Sequence, residues 1–232
     1  VTSGGYVSEE LGWRDRVFLT GAGRTDRNSA FGVDFKNVVY PAASLSWVIG
    51  EEPFFPKSNV LSSLRLRAAF GESGQNPGFR DAITFFAPTA VRFQDAETPA
   101  VTIGGTGNAN LKPELTTSYE VGAELAFYDS RITLDASYYA KDTKNQILNL
   151  VIPPTSGYST QAINAGDISN KGFEASLGAT PLASERGLTW TSTFNYASNR
   201  SKVVSRTPGL TSVVLGSQWS ATVTATAGQP YG

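Results

Sequence analysis

The chain has 232 residues, a formal net charge of −1, and no cysteine, histidine or methionine. Near-neutral charge offers no electrostatic case for nucleic acid. The missing cysteine and histidine exclude a disulfide framework, thiolate metal sites, the usual zinc sites, a Ser-His-Asp triad and imidazole acid–base catalysis. The longest unbroken apolar run, Leu125-Ala126-Phe127-Tyr128, falls far short of the roughly 20 residues of a membrane helix. Val1–Gly5 has neither the basic nor the apolar region of a signal peptide. A slightly negative mean hydropathy does not exclude a β-barrel, because half of each strand faces a wet lumen.

A first, weak strand is read over 5–13, with Val7, Leu11 and Trp13 on one face and Glu9 among them. Arg14-Asp15 is a tight turn, and a second strand runs from about Arg16 to Asp26. After the polar segment 27–36, a third strand covers about Val39 to Ile49, with Ala43, Leu45, Trp47 and Ile49 on one face. Pro41 stands near its beginning, where a missing N–H is tolerable. Gly50 to Asn59 is a connection. In the fourth strand Leu64, Leu66, Ala68 and Phe70 alternate with Arg65, Arg67, Ala69 and Gly71. The longest break, roughly Ser73 to Leu115, is rich in Gly and Pro, and a loop of that length is either functional or a misread element.

The clearest pattern follows. Tyr119, Val121, Ala123, Leu125 and Phe127 alternate with Ser118, Glu120, Gly122, Glu124 and Ala126. After Asp129-Ser130, Ile132, Leu134, Ala136, Tyr138 and Ala140 alternate with Arg131, Thr133, Asp135, Ser137 and Lys141. Period-two alternation in two adjacent runs predicts a β-hairpin with one apolar and one polar face, its second strand continuing to about Leu150. Further strands are read at about Ile163–Thr180 and Leu188–Val204, separated by a turn at Ser184–Gly187, with a ninth at Thr211–Ala227.

The connections between these strands alternate short and long, as the turns and loops of an outer-membrane barrel do. Trp13, Trp47 and Trp190 lie near short or medium connections and Tyr128 abuts another, as interfacial aromatics would. The same residues could be core aromatics of a soluble β-sandwich, and pattern alone leaves both architectures open.

Motifs separate them. Asn108-Ala109-Asn110-Leu111-Lys112-Pro113-Glu114, followed by Tyr119-Glu120-Val121-Gly122, resembles the N-P-x-L-K-P-E…E-x-G signature of TonB-dependent outer-membrane receptors. Asn164-Ala165-Gly166-Asp167-Ile168-Ser169-Asn170-Lys171-Gly172-Phe173-Glu174 is similar to the N-x-G-x-I-x-N-K-G-x-E segment of the SusC/RagA branch. Leu64 to Gly74, Ser137-Tyr138-Tyr139 and the terminal Gly228-Gln229-Pro230-Tyr231-Gly232 match in the same order. The chain departs at Ala109, where the family has Pro, and at Arg27, where it has Gly in an R-x-D-G-S-S-x-F-G pattern.

The resemblance implies an all-β fold: an antiparallel up-and-down transmembrane β-barrel. It would be partial, with about eight or nine strands of a wider wall in one domain over 1–232. No plug domain or TonB contact motif is expected in it, and the sheet should be open and curved, with unpaired first and last strands. The implied function is active import of oligosaccharides or peptides through the outer membrane, with no bond chemistry and no cofactor, so an enzyme is not expected. The implied partners are outer-membrane lipid, a SusD-like lipoprotein and TonB–ExbB–ExbD. Ferric-siderophore uptake and a secreted β-sandwich that only binds are the alternatives. Arg65, Arg67, Glu120, Glu124, Asp135 and Glu174 are expected to line the lumen, pair across strands and contact a plug. Gly104-Gly105-Thr106-Gly107 lacks the Lys-Ser/Thr of a phosphate loop, and Gly71-Glu72-Ser73-Gly74 lacks the pattern of a nucleophile elbow.

Overall fold

The computed structural model describes residues 2–28, 37–56, 58–93, 95–158, 160–184, 187–206, 212–219 and 221–231. Its strands are β1 (Thr2–Trp13), β2 (Val17–Asn28), β3 (Val38–Val48), β4 (Leu61–Gln75), β5 (Phe85–Phe93), β6 (Ala96–Gly105), β7 (Glu114–Phe127), β8 (Ile132–Val151), β9 (Thr160–Leu182), β10 (Trp190–Arg206), β11 (Val213–Gln218) and β12 (Ala221–Ala225). Eight form one antiparallel sheet in the order β1-β2-β3-β4-β7-β8-β9-β10. No second sheet packs on its face among the described residues, so the two-layer sandwich is not the architecture. No helix among the described residues is long and apolar enough to cross a membrane.

Neighbours in sequence are neighbours in the sheet, with one exception. β4 pairs directly with β7 from Gln75↔Glu114 to Leu61↔Phe127, and the chain between them folds into a separate hairpin, β5–β6. The break read at 73–115 is therefore shorter than expected: β4 continues to Gln75, and about half of the rest pairs with itself. The possible ninth strand also resolves differently. β11 and β12 pair with each other and form no part of the wall, and Thr211 lies outside the described residues. So does most of the polar segment 27–36, with the later part of the R-x-D-G-S-S-x-F-G-like stretch beyond Asn28, and so do the centre of the turn at 184–187 and Gly232.

The short connections are tight turns. Arg14 and Asp15 have φ of 53° and 54°, and Asp129 and Ser130 have φ of 54° and 65°. Arg16 N–H donates to Trp13 C=O at 3.0 Å and Arg131 N–H to Tyr128 C=O at 3.2 Å. Positive φ at both central residues is the type I′ geometry, whose twist matches that of paired strands. Beside the first turn, Glu52 accepts from Trp47 Nε1 at 3.0 Å and from Arg16 at 3.4 Å, fastening the β3–β4 connection to the same rim.

The ladder is staggered. One row runs Trp13–Val17–Trp47–Leu66–Ala123–Ala136–Ala175–Tyr196. Trp13 is the last residue of β1, yet Tyr196 is already six positions inside β10 from its first residue, Trp190. The short-turn rim thus slips steadily across the sheet, as it must when strands tilt by about 35–45° to a barrel axis.

Every residue of that row is apolar, and so are most of those in the flanking rows Leu11–Leu19–Leu45–Ala68–Val121–Tyr138–Phe173–Ser198 and Leu64–Leu125–Leu134–Leu177–Phe194. Trp13, Leu11, Trp190, Phe194 and Tyr196 are all exposed. An apolar face left bare across a whole sheet is the mark of a surface solvated by lipid. The buried residues collect instead beyond the sheet's middle, at the long-loop end: Leu111, Ala162, Ala165, Val203 and Ala225.

Candidate functional site

The face opposite the apolar one carries charge. Arg65 is opposed in register to Glu124, and Glu124 to Asp135; Arg67 is opposed to Gly122, Gly122 to Ser137, and Ser137 to Glu174. With Glu120 two positions from Gly122, all six charged residues expected on one face are there. The strands bring four of them together. Arg65 reaches Glu124 at 3.5 Å and also donates to Ser46 Oγ at 2.8 Å. Arg67 bridges Glu124 and Asp135, with Nη2 at 2.5 Å from Asp135 Oδ1 and Nη1 at 3.3 Å from Oδ2. Glu120 and Glu174 form no ion pair among the described residues. They line the same open groove as Arg67, Asp135, Ser137 and Asn195. Lys141, further along this face, stacks 5.2 Å from the Tyr139 ring rather than on a carboxylate.

Two glycines make room for this layer. Arg67 lies across Gly122, and Tyr139 lies across its direct partner Gly172; a Cβ on Gly172 would come 2.4 Å from the tyrosine ring. Both glycines belong to the family motifs.

Other motif residues act at the long-loop end, where two segments some fifty residues apart interlock. Asn164 Nδ2 donates to Lys112 C=O at 2.9 Å and to Asn145 C=O at 2.8 Å, and its Oδ1 accepts from Lys112 N–H at 2.9 Å. Asn145 has φ of 56° in a bulge where the β8–β9 register shifts, and its N–H is taken by Asp167 Oδ1 at 3.1 Å. Gly166, φ 151°, stands at the same irregularity. Glu114 accepts from Ile147 N–H at 2.7 Å, serving a backbone donor beside the bulge. Leu111 and Pro113 are buried while Lys112 between them is exposed. Asn108 closes an Asx turn onto Asn110 N–H at 3.1 Å and donates to Ala162 C=O at 3.2 Å. The Leu111-Lys112-Pro113-Glu114 signature is therefore a brace between β7, β8 and β9. Asn170 faces Lys141 and Ser201, with its Oδ1 buried and unpaired among the described residues, while Lys171 faces Arg200 on the apolar side. Sequence reasoning named the motif residues without showing that they touch; Asn145 and Asp167 carry no local pattern that would announce their part in the brace.

The terminal motif also has a place. Val203, in β10, exchanges backbone bonds with Gly228 and Gln229 at 2.8 and 3.0 Å, and Tyr231 accepts from Gln146 Nε2 at 3.1 Å. The segment thus covers part of the β10 edge and touches the bulge region of β8.

The sequence model of the family described as TonB dependent receptor-like, beta-barrel, matches residues 1–231. The chain belongs to this family. It is an outer-membrane β-barrel family of receptors and transporters, not of enzymes. TonB-dependent receptor P26 of Formosa agariphila is 32% identical over 195 residues, covering 83% of this chain and 19% of the relative. TonB-dependent receptor SusC of Bacteroides thetaiotaomicron is 30% identical over 202 residues, covering 84% and 20%. The chain thus spans about a fifth of the length of the curated relatives it matches. Among solved structures, the RagAB peptide importer in its closed-closed state superposes with a TM-score of 0.81 at 21% identity, over 92% of this chain and 23% of that one. The siderophore receptor PirA of Pseudomonas aeruginosa gives 0.58 at 20% identity, over 87% and 36%. These likenesses establish a TonB-dependent receptor barrel wall.

Proposed function

We propose that this wall belongs to an active transporter of the SusC/RagA kind, importing oligosaccharides or peptides with energy from TonB–ExbB–ExbD. A SusD-like lipoprotein would close its outer mouth. The observation that carries the reading is the greater likeness to SusC and RagAB than to the siderophore receptor: 30% identity to SusC, and a TM-score of 0.81 against 0.58. The apolar face meets lipid and the charged face lines the lumen. Arg65, Arg67, Glu124 and Asp135 neutralise one another, while Glu120 and Glu174 present two further carboxylates to cationic groups of a plug. Such a wall performs no bond chemistry; it supplies a wet, charge-matched surface.

The test uses the full-length receptor. Affinity purification from the outer membrane is expected to bring down a SusD-like lipoprotein, and a strain lacking the receptor should lose uptake of an oligosaccharide or peptide while retaining iron uptake. Loss of ferric-siderophore uptake alone, with no lipoprotein co-purified, would favour the siderophore reading.

A further inference from the structure

The lipid-side face ends in a cluster of cations. Lys171 and Arg200 are direct cross-strand partners on that face, in the row Glu9–Gly21–Ala43–Phe70–Tyr119–Ala140–Lys171–Arg200. Lys202 follows two positions along β10, and Lys144 takes the same face of β8 opposite Leu115. All four are exposed, and none forms an ion pair with a described residue. Like charges directly opposed on one face of a sheet repel, so Lys171 facing Arg200 without a carboxylate is unfavourable unless an anion joins them. Three acidic residues share the face nearby. Asp167, opposed to Ser205 and two positions from Ser169, accepts from Asn145 N–H at 3.1 Å and from Ser205 Oγ at 2.7 Å. Asp142 lies diagonal to Lys171 and opposite Ser169, and Glu72, at the other end of that row, accepts from Thr117 Oγ1 at 3.3 Å. Four cations against two near carboxylates, Asp142 and Asp167, leave the cluster net positive.

Depth places the cluster at the membrane surface. Trp190 and Arg200 both point to the lipid side of β10, ten positions apart. At about 3.3 Å per residue and a tilt near 40°, ten positions span roughly 25 Å along the membrane normal, the height of a barrel's apolar band. Trp190 therefore marks the short-turn rim, and Arg200 and Lys171 the opposite one. Just below them Tyr138, Phe173 and Tyr196 form an exposed aromatic layer, with Phe173 and Tyr196 rings 6.3 Å apart. Aromatics followed by cations are what the apolar-to-headgroup boundary favours.

We propose that Lys171, Arg200 and Lys202, flanked by Lys144, form a binding site for the phosphate of a phosphorylated glycolipid headgroup in the external leaflet. Three cations within about 5 Å of height and the bare apolar band beneath them match an anionic head joined to acyl chains. The site rests on the assignment of the apolar face to lipid and is independent of what the receptor imports.

Native mass spectrometry and vesicle binding on the full-length receptor test it, using phosphatidylcholine vesicles doped with lipid A, dephosphorylated lipid A or phosphatidylglycerol. At about 1 kcal/mol for each Lys or Arg near an anionic surface, the Lys171→Gln/Arg200→Gln/Lys202→Gln variant should bind lipid A roughly 100-fold more weakly than wild type. Wild type should bind dephosphorylated lipid A about as weakly, an arm that needs no variant to fold. Lys141→Gln, a cation on the opposite face, should change nothing. Unchanged binding by the triple variant, or no preference for phosphate in wild type, would overturn the site; equal or tighter binding of phosphatidylglycerol would overturn the glycolipid assignment. A reversed sheet would show separately, in arginine substitutions at Leu134 and Thr133.

Discussion

The side chain of Arg67 runs across the bare backbone of Gly122, its opposed residue, and so reaches Asp135 on the next strand. A Cβ at Gly122 would lie 2.7 Å from Arg67 Nε and 3.2 Å from Ala136 C=O. Gly122→Ala should therefore destabilise the full-length receptor by about 1–3 kcal/mol through overpacking. Its φ is not left-handed, so backbone strain adds nothing. Denaturant unfolding in detergent measures the effect. Combining Gly122→Ala with Arg67→Ala should cost less than the sum of the two, because both act on one contact; strict additivity would rule the contact out.

Neighbouring residues on the second strand of the central hairpin should respond in opposite ways to the same charge. Leu134 lies in the apolar row and Thr133 on the charged side. Arginine at Leu134 is expected to cost about 2–4 kcal/mol if that position is near the midplane, and arginine at Thr133 far less. Heat-modifiability on gels reads the difference, and the reverse order would mean the faces are exchanged.

Glu9 is an unfavourable residue on the apolar face. It lies four positions from Trp13, about 10 Å into the band along the normal. Glu9→Leu should raise the thermal midpoint of the full-length receptor; a lowered midpoint would mean that the carboxylate has a partner on another strand.

The brace predicts a local rather than global loss. Asn164→Ala removes one bond to Lys112 N–H, one to Lys112 C=O and one to Asn145 C=O. The bonds to Lys112 are exposed and water can replace them, while the part-buried Asn145 C=O left unpaired costs about 1–3 kcal/mol. Hydrogen exchange should accelerate at 108–114 and around Asn145 while β1–β3 remain protected. Unchanged exchange at Lys112 would sink the brace.

Topology is open to a chemical check. A cysteine in place of exposed Val101, on the β5–β6 hairpin, should be labelled by an impermeant reagent on intact cells, and one in place of Ser130 should not. Labelling of both from outside would invert or abolish the orientation.

The parts legible in sequence are those where a single local rule acts. Around Tyr119–Phe127 and Ile132–Ala140 the side chains alternate without interruption, so the hairpin, its faces and the opposition of Glu124 to Asp135 follow from period two and a tight turn, whereas the pairing of Glu124 with Arg65 crosses the long break and does not. In Phe85–Phe93 and Ala96–Gly105 the alternation is broken by Pro88 and Pro99, and neither strand has a buried face to impose one, so pairing there left no periodic trace. Thr and Ser throughout Thr211–Ala227 gave no face either, and Trp219, with φ of 58°, turns that stretch back on itself where a continuous strand was expected. The brace was hidden for another reason. Its bonds join Lys112 to Asn164 and Asn145 to Asp167 across a bulge, and a bulge breaks the very spacing on which sequence reading depends.

The six-position slip of the short-turn rim makes hydrogen-bonded register a poor guide to environment. Glu9 and Arg200 occupy one row, yet the first stands partway into the hydrocarbon and the second at its far surface. Polarity winds around the wall like a screw thread rather than lying in stacked rings. A substitution transferred from strand to strand along the ladder would change its solvent as it moved, and equivalent positions must instead be counted from each strand's own turn.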